Sequence, residues 1–391
     1  MFIYGGFLMS DYIYLDYQAT TPLDTAVLSD MMPYLTHHFA NASSSHELGI
    51  ENASVIEQSR RKIARQIGAK PKEIIFTSGA TESNNLAVSG VAAAAGKGKI
   101  ITVKTEHKCV LASCSEMASK GFEVVFLDVD SSGLIDLQQL EAEICNDTIL
   151  VSVMYGNNET GVLQPIKEIS QITKRHKIPL HCDATQSMGL LKLNVQELGV
   201  DMLTFSGHKI YGPKGIGALY IKSHVKINAL IHGGQQEKGL RGGTYNVPGI
   251  VGLASALSLS REKQEHEYVR LSKLRERFLS KVTILKPVSN TPIYLSLPHC
   301  ISLSLPNVNM QKMLPRLKKV ILSTGSACNS GDQKESHVLM AMGLGKDLAN
   351  STIRISFGRD TTIEDVDAAA EEIIYAASIS KIGEKCEKLE T

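Results

Sequence analysis

Several runs of this sequence place reactive side chains where an apolar stretch stops. Met202, Leu203 and Phe205 read as a buried strand leading into Ser206, Gly207, His208 and Lys209. Gly212, Pro213, Gly215 and Gly217 then turn the chain back into a second strand through Tyr220. A lysine between apolar walls and a glycine-laced loop loses its proton more readily than a solvated one, and a neutral amine forms Schiff bases with carbonyl compounds. Taken alone, such a lysine is more often an ordinary surface residue, so the case rests on what else reaches the same place. The run LHCD ends at Asp183, and an acid at the end of a buried strand is costly unless it meets a cation, either an ion-pair partner or a bound cofactor. His107 follows KIITVKTE and Asn158 follows TILVSVMYGN, each just past a strand. The run EIIFTSG passes at once into the helical pattern TESNNLAVSGVAAAA. Free N–H groups at Ala80 and Thr81 and the positive end of that helix suit a phosphate, and a plain capping box built on Ser78 or Thr81 is the structural alternative. The run lacks the glycine-lysine-serine/threonine ending of a P-loop, so a whole nucleotide is not indicated.

The elements that position these residues alternate strand and helix, which predicts an α/β fold with a doubly wound, mainly parallel sheet. In such a sheet the ligand crevice lies at the carboxyl ends of the strands, where Thr81, His107, Asn158, Asp183 and the Ser206–His208–Lys209 group all fall. A long helix is expected from about 249 to 282, with a domain boundary near residue 262. The large domain is assigned to 16–262, and a smaller α+β domain to 1–15 and 263–391, with a final helix at about 362–383. Arg354 sits inside the apolar strand pattern IRIS and calls for an anionic partner, for which a substrate carboxylate is the bidentate candidate. The run STGSACNSGDQKESH has no apolar periodicity and reads as holding an exposed loop, about 323–335, around Cys328. The other six cysteines lie in or beside apolar patterns, so Cys328 is the one expected to be reactive.

Size and charge bound the answer. With 391 residues the chain is long enough for two domains, and a net charge of +1 gives no electrostatic footprint for nucleic acid or a membrane surface. No apolar stretch approaches the ~18 to 20 residues of a membrane span, and the first residues show no basic signal region, so a soluble, cytoplasmic protein is expected. The seven cysteines are odd in number, scattered and never in a Cys-x-x-Cys pair, which argues against a disulfide framework and a zinc site.

With SGATESNN, TEHK, NNETG, DATQS, SGHKIYGPKGIGALY, RGGT, GSAC and IRISFGR in one order, the chain resembles the cysteine desulfurases of the IscS/NifS type. These form part of the class V branch of the fold-type I pyridoxal-phosphate enzymes, and the resemblance covers nearly the whole chain. It implies a large domain with a mainly parallel seven-stranded sheet, a smaller C-terminal domain, the cofactor pyridoxal 5'-phosphate, and conversion of L-cysteine to L-alanine with the sulfur left as a persulfide on an enzyme cysteine. By the resemblance, Lys209 carries the cofactor, Asp183 pairs with its ring nitrogen, Gln186 bonds its ring oxygen with Asn158 nearby, and His107 stacks on the ring and moves protons. The phosphate rests on Ala80, Thr81, Ser206 and His208, with Thr244 reaching in from the second subunit of a homodimer. Arg354, helped by Asn158, holds the substrate, and Cys328 takes the sulfur before passing it to acceptors such as an iron–sulfur scaffold or a tRNA-thiolation enzyme. The run after Cys328, Ala42 in FANASSSH, Cys109 beside His107 and the segment 300–322 depart from the family pattern. The alternatives are a selenocysteine lyase or another class V enzyme, and a sulfur-transfer scaffold without catalysis. The last predicts loss of one of Lys209, Asp183, His107 or Cys328, and all four are present.

Overall fold

The computed structural model describes residues 12–324 and 335–382. It divides into two compact units, one of 18–158 and 162–266, the other of the residues up to 17, 159–161 and those from 267 on. The strands, in chain order, are β1 (Ile13–Tyr14), β2 (Ile74–Thr77), β3 (Lys99–Val103), β4 (Glu123–Leu127), β5 (Thr148–Met154), β6 (Leu180–Asp183), β7 (Met202–Ser206), β8 (Gly217–Ile221), β9 (Val288–Ser289), β10 (Cys300–Ser304), β11 (Val320–Ile321) and β12 (Thr352–Ser356). The larger unit carries helices α1 (Thr25–Thr36), α2 (Glu47–Ile67), α3 (Ala80–Ala95), α4 (Lys108–Ser119), α5 (Leu137–Glu143), α6 (Ile166–His176), α7 (Val195–Leu198) and the start of α8 (Val247–Val282).

The larger unit is built on a seven-stranded sheet in the order β2-β8-β7-β6-β5-β3-β4. Only β8 runs against its neighbours β2 and β7, while the β3–β4, β3–β5, β5–β6 and β6–β7 pairs are parallel. The mainly parallel sheet expected from the strand–helix rhythm is therefore present. Successive strand side chains point to opposite faces, and both faces are buried. Phe76, Ile101, Val151, Val153, Leu203 and Phe205 pack on one face with Ile63 of α2, Ile169 of α6 and Leu253 of α8. Ile75, Ile100, Leu150, Met202 and Leu219 pack on the other with Leu86 and Val88 of α3 and Val110 and Met117 of α4. Helices on both faces leave the carboxyl ends of the strands as the open edge. The chain moves outward from β3 to β4 and then from β5 through β6 to β7, so the sheet reverses direction between β3 and β5, where ligand crevices form in folds of this kind.

The smaller unit has the three-stranded antiparallel sheet β12-β10-β9 and a two-stranded parallel pair of β1 with β11. Its last described helix, Ile363–Ser378, begins at a capping box in which the Thr362 hydroxyl accepts from Asp365 N–H and the Asp365 carboxylate accepts from Thr362 N–H. These elements match the α+β character expected of the C-terminal region.

Candidate active site

The turn after β2 enters α3 through Gly79, whose φ of 153° few residues with a side chain adopt. A Cβ on Gly217 would lie 2.7 Å from Gly79 Cα and 2.7 Å from the Phe205 carbonyl, so the backbone of β8 closes directly onto this turn. Ser206 pairs with Gly217 across the β7–β8 ladder, and its hydroxyl stands 3.7 Å from where a Gly79 Cβ would be. Ser206, Ala80 and Thr81 are thus gathered at one helix N-terminus. Neither Ser78 nor Thr81 caps α3. Gly79 occupies that position without a side-chain cap, leaving the first-turn N–H groups for an anion. Ser78 instead donates its N–H to Glu82 at 2.7 Å. Burial raises the Glu82 carboxyl, but the hydrogen bonds from Ser78 and Arg241 outweigh it and hold the group below its ordinary value.

His107 ends the turn after β3 and serves as the N-cap of α4. Its Nδ1 accepts the Cys109 N–H at 3.2 Å and lies 3.0 Å from Cys109 Sγ. Beside it, fully buried Glu106 accepts the Met154 N–H at 2.5 Å, and burial pushes its carboxyl well above the usual range. The Asn157 side chain donates to the Thr105 carbonyl at 2.9 Å, tying the turn after β5 to the turn after β3. Asp183, at the end of β6, is 5% exposed. Its Oδ2 accepts from Asn84 Nδ2 at 2.6 Å and its Oδ1 from Thr185 N–H at 2.9 Å. Among the described residues no lysine, arginine or histidine forms an ion pair with it. Both carboxylate oxygens of Asp183 are thus met by uncharged donors.

Lys209 closes the 3₁₀ turn Gly207–Lys209 after β7. Its Nζ donates to the carbonyls of Gln18 and Ala19, the latter at 2.9 Å, and Gln186 Nε2 donates to the same Gln18 carbonyl at 3.1 Å. The segment Gln18–Thr21 braces the lysine turn further. Thr21 donates N–H and hydroxyl to the His208 carbonyl at 2.9 and 3.0 Å, and the Thr21 oxygen accepts from Tyr211 N–H at 2.9 Å. This holds Tyr211 at a φ of 64° and aims the lysine. His208 Nδ1 lies 3.1 Å from the Thr20 hydroxyl, and burial, then the charges of Lys209 and Lys214, push the ring down to about 4.

The structure therefore brings Asp183 and His107 together through Asn84 and Cys109, Lys209 and Gln186 through Gln18, and Ser206 with Ala80 and Thr81. Asn158 is half-buried in the turn after β5, and Thr244 is exposed ahead of α8. Arg354 lies on β12 of the smaller unit, where its buried guanidinium meets Asp16 at 2.6 Å. Cys328 lies outside the described residues. Sequence reasoning did not single out Asn84, Thr185 or Gln18 as site residues. The signal for Asn84 is its spacing of three from Thr81 on α3, which puts both on one helix face.

The aminotransferase class-V profile matches residues 13–369. A cysteine desulfurase of Mus musculus is 47% identical over 370 residues, covering 93% of this chain and 81% of the relative. The cysteine desulfurase IscS of Neisseria meningitidis is 46% identical over 378 residues, covering 95% and 93%. Among solved structures, a NifS-like protein superposes with a TM-score of 0.89 at 38% identity, covering 94% of this chain and all of the other. A structure described as SspA in complex with cysteine gives 0.80 at 41% identity, covering 88% and 98%.

Proposed function

Since the chain belongs to the aminotransferase class-V family, we propose that it is a cysteine desulfurase, converting L-cysteine to L-alanine and holding the sulfur on Cys328 as a persulfide for delivery to acceptor proteins. The proposed cofactor is pyridoxal 5'-phosphate. The observation that carries the reading is Asp183, a buried carboxylate given only neutral donors, on the same sheet edge as Lys209 and His107. Asp183 would hold the ring nitrogen of that cofactor, and the N-terminus of α3, with Thr81, Ser206 and His208, would hold its phosphate. When bound, the group supplies an electron sink at the substrate's carbon skeleton.

The chain's own residues then divide the work. Asp183 would face the ring nitrogen of the cofactor, and Asn84 and Thr185 fix the orientation of its carboxyl group. Lys209 presents its amine toward the Gln18–Ala19 carbonyls and is the proposed attachment point. His107, fixed through Nδ1, is the proposed group to hold or move a proton at Nε2. Arg354 is the proposed substrate-carboxylate contact, with Asn158 beside the cofactor. Cys328 needs its thiolate form to attack sulfur, after which the substrate carbon takes a proton in place of the lost sulfur.

A homodimer in which Thr244 of one subunit completes the phosphate site of the other is part of the proposal. The exposed apolar side chains Leu28, Met32, Leu35, Phe39, Leu48 and Ile50, concentrated between residues 28 and 50, support a covered surface there. Among the described residues no helix is long and apolar enough to cross a membrane, and Cys109, Cys114, Cys145, Cys182 and Cys300 are free thiols, which supports a reducing compartment such as the cytoplasm. Acceptors are proposed to be an iron–sulfur scaffold or a tRNA-thiolation enzyme.

The test is alanine release from L-cysteine by the cofactor-loaded protein. Lys209→Ala is expected to lower it by a factor of roughly 10⁴ or more, and Cys328→Ser to bind cofactor yet produce no sulfide under reductant. A wild-type protein that yields no alanine ends the proposal.

A further inference from the structure

Cys109 has no task in the reaction assigned above, yet its thiol touches three groups of the site. Sγ lies 3.2 Å from Asn84 Nδ2 and 3.0 Å from His107 Nδ1, and it also meets the Thr81 hydroxyl. The same Asn84 Nδ2 sits 2.6 Å from Asp183 Oδ2. We propose that Asn84 and Cys109 form a hydrogen-bond bridge from the Asp183 carboxylate to His107, and that this bridge holds the neutral His107 ring with its proton on Nε2. The inference rests on the function proposed above and adds two positioning residues to it.

The direction of each link follows from what the groups can do. A carboxylate only accepts, so the Asn84 side chain must turn its NH₂ toward Asp183, and that NH₂ carries two hydrogens. One goes to Asp183 and the other reaches Sγ. Asn84 is wholly buried, so no bulk water competes for either. The sulfur is then an acceptor on one side, and its own S–H is free to point at His107 Nδ1. That nitrogen already accepts the Cys109 backbone N–H at the start of α4. A ring nitrogen facing two donors keeps its lone pair, and the remaining proton of a neutral imidazole sits on the other nitrogen.

The thiol is suited to this part. Burial, then the charge of Asp183, pushes it up to about 12, with Glu106 acting in the same sense and Asn84 and Thr81 in the opposite one. Cys109 therefore stays an S–H donor at neutral pH. The groups facing it are Thr81 and Asn84 from α3, Asp183 from β6, and Glu106 and His107 from the turn after β3. Protonating His107 at Nδ1 would set that proton against the Cys109 N–H, so the arrangement favours a neutral ring with its N–H at Nε2.

The experiment uses the full-length, cofactor-loaded enzyme and compares wild type with Cys109→Ala, Cys109→Ser, Asn84→Ala and the double alanine variant, after melting curves confirm that each folds. The direct readout is the ¹⁵N spectrum of the histidine ring nitrogens, with the His107 signals identified by their loss in His107→Gln. Wild type is expected to show Nδ1 bare and Nε2 protonated at neutral pH. Cys109→Ala is expected to mix the tautomers, and Cys109→Ser, whose hydroxyl also donates, to restore them. In turnover, Cys109→Ala is expected to lose about fivefold in kcat with KM unchanged, the scale of one hydrogen bond. Its acid limb in the pH–rate profile is expected to move up by as much as about one pH unit. Asn84→Ala is expected to cost less in the Cys109→Ala background than in wild type, because both remove the same bridge. An unchanged ring spectrum in Cys109→Ala, or costs that multiply in full in the double variant, overturns the bridge. The spectrum is read without substrate, so a wild-type enzyme that makes no alanine would remove the proposed function and still leave the bridge to be judged.

Discussion

Two buried carboxylates of the larger unit are held in opposite ways. Glu237 has its cation in the chain. Arg60 grips it with Nη1 to Oε2 at 2.8 Å and Nη2 to Oε1 at 2.9 Å, Phe76 N–H adds a third bond at 3.1 Å, and the guanidinium lies 4.7 Å from the Phe76 ring centroid. Burial works against the Arg60 charge, but Glu237 outweighs it and holds the guanidinium well above its ordinary value. Asp183 receives an amide and a backbone N–H instead. The Glu237 carboxylate is matched by a cation of the chain, whereas Asp183 meets only uncharged donors among the described residues, as the cofactor site proposed above requires. The structural pair also pins a loop in which Glu237 and Lys238 both have positive φ, 46° and 59°, a conformation that non-glycine residues keep only where the surroundings impose it.

The largest effect should come from breaking the matched pair. Arg60→Ala leaves Glu237 buried without a counter-ion and is expected to lower unfolding stability by about 3–5 kcal/mol, read from denaturant melts. Replacing both partners, as Arg60→Met with Glu237→Leu, is expected to recover most of that loss. If Arg60→Ala costs under about 1 kcal/mol, the pair is not the anchor described and the comparison fails.

Asp183→Asn sharpens the comparison from the other side. It keeps the shape and removes the charge, so melting should shift little while alanine production falls roughly 100-fold, the scale on which one preorganised electrostatic partner acts. Glu237→Gln should show the reverse, with earlier unfolding and preserved kcat. Full turnover in Asp183→Asn would mean that the carboxylate serves no incoming cation.

The smallest effect concerns the histidine beside Lys209. Lys209 is flanked by His208, which burial and the two nearby lysines hold at about 4. A histidine in the unfolded chain takes its proton near 6.5. As pH falls from 6.5 toward 4 the unfolded state therefore binds a proton that the native state refuses. The contribution is intact above 6.5 and is lost through that window. His208→Gln is expected to lose less melting temperature than wild type between pH 7 and 5. The difference is partial, because His181, buried between Ser152 and Thr204, is also pushed to about 4 and remains. Equal pH dependence in the two proteins would take His208 out of the account.

Much of this was legible in the sequence because the fold writes itself locally. Strand runs such as TILVSVM and MLTFS carry apolar residues on both faces, as a sheet covered on both sides requires, and polar residues at their carboxyl ends mark the crevice. Lys209, Asp183 and His107 were readable as site candidates for that reason, as polar residues at or just past the ends of apolar runs. The capping alternative at Ser78 and Thr81 was equally readable and was not adopted, because β8 approaches so closely through Gly217 that Gly79 takes the cap position.

The sequence by itself determined the strand–helix rhythm, the family motifs and the candidates for the reactive side chains, since each depends on residues near one another in the chain. Only the tertiary structure decided the pairings. Asn84 stands 99 positions from Asp183, Gln18 about 190 from Lys209, and Asp16 338 from Arg354. No local pattern encodes such contacts, because a hydrogen bond depends on distance in space and the order of strands in the sheet sets that distance.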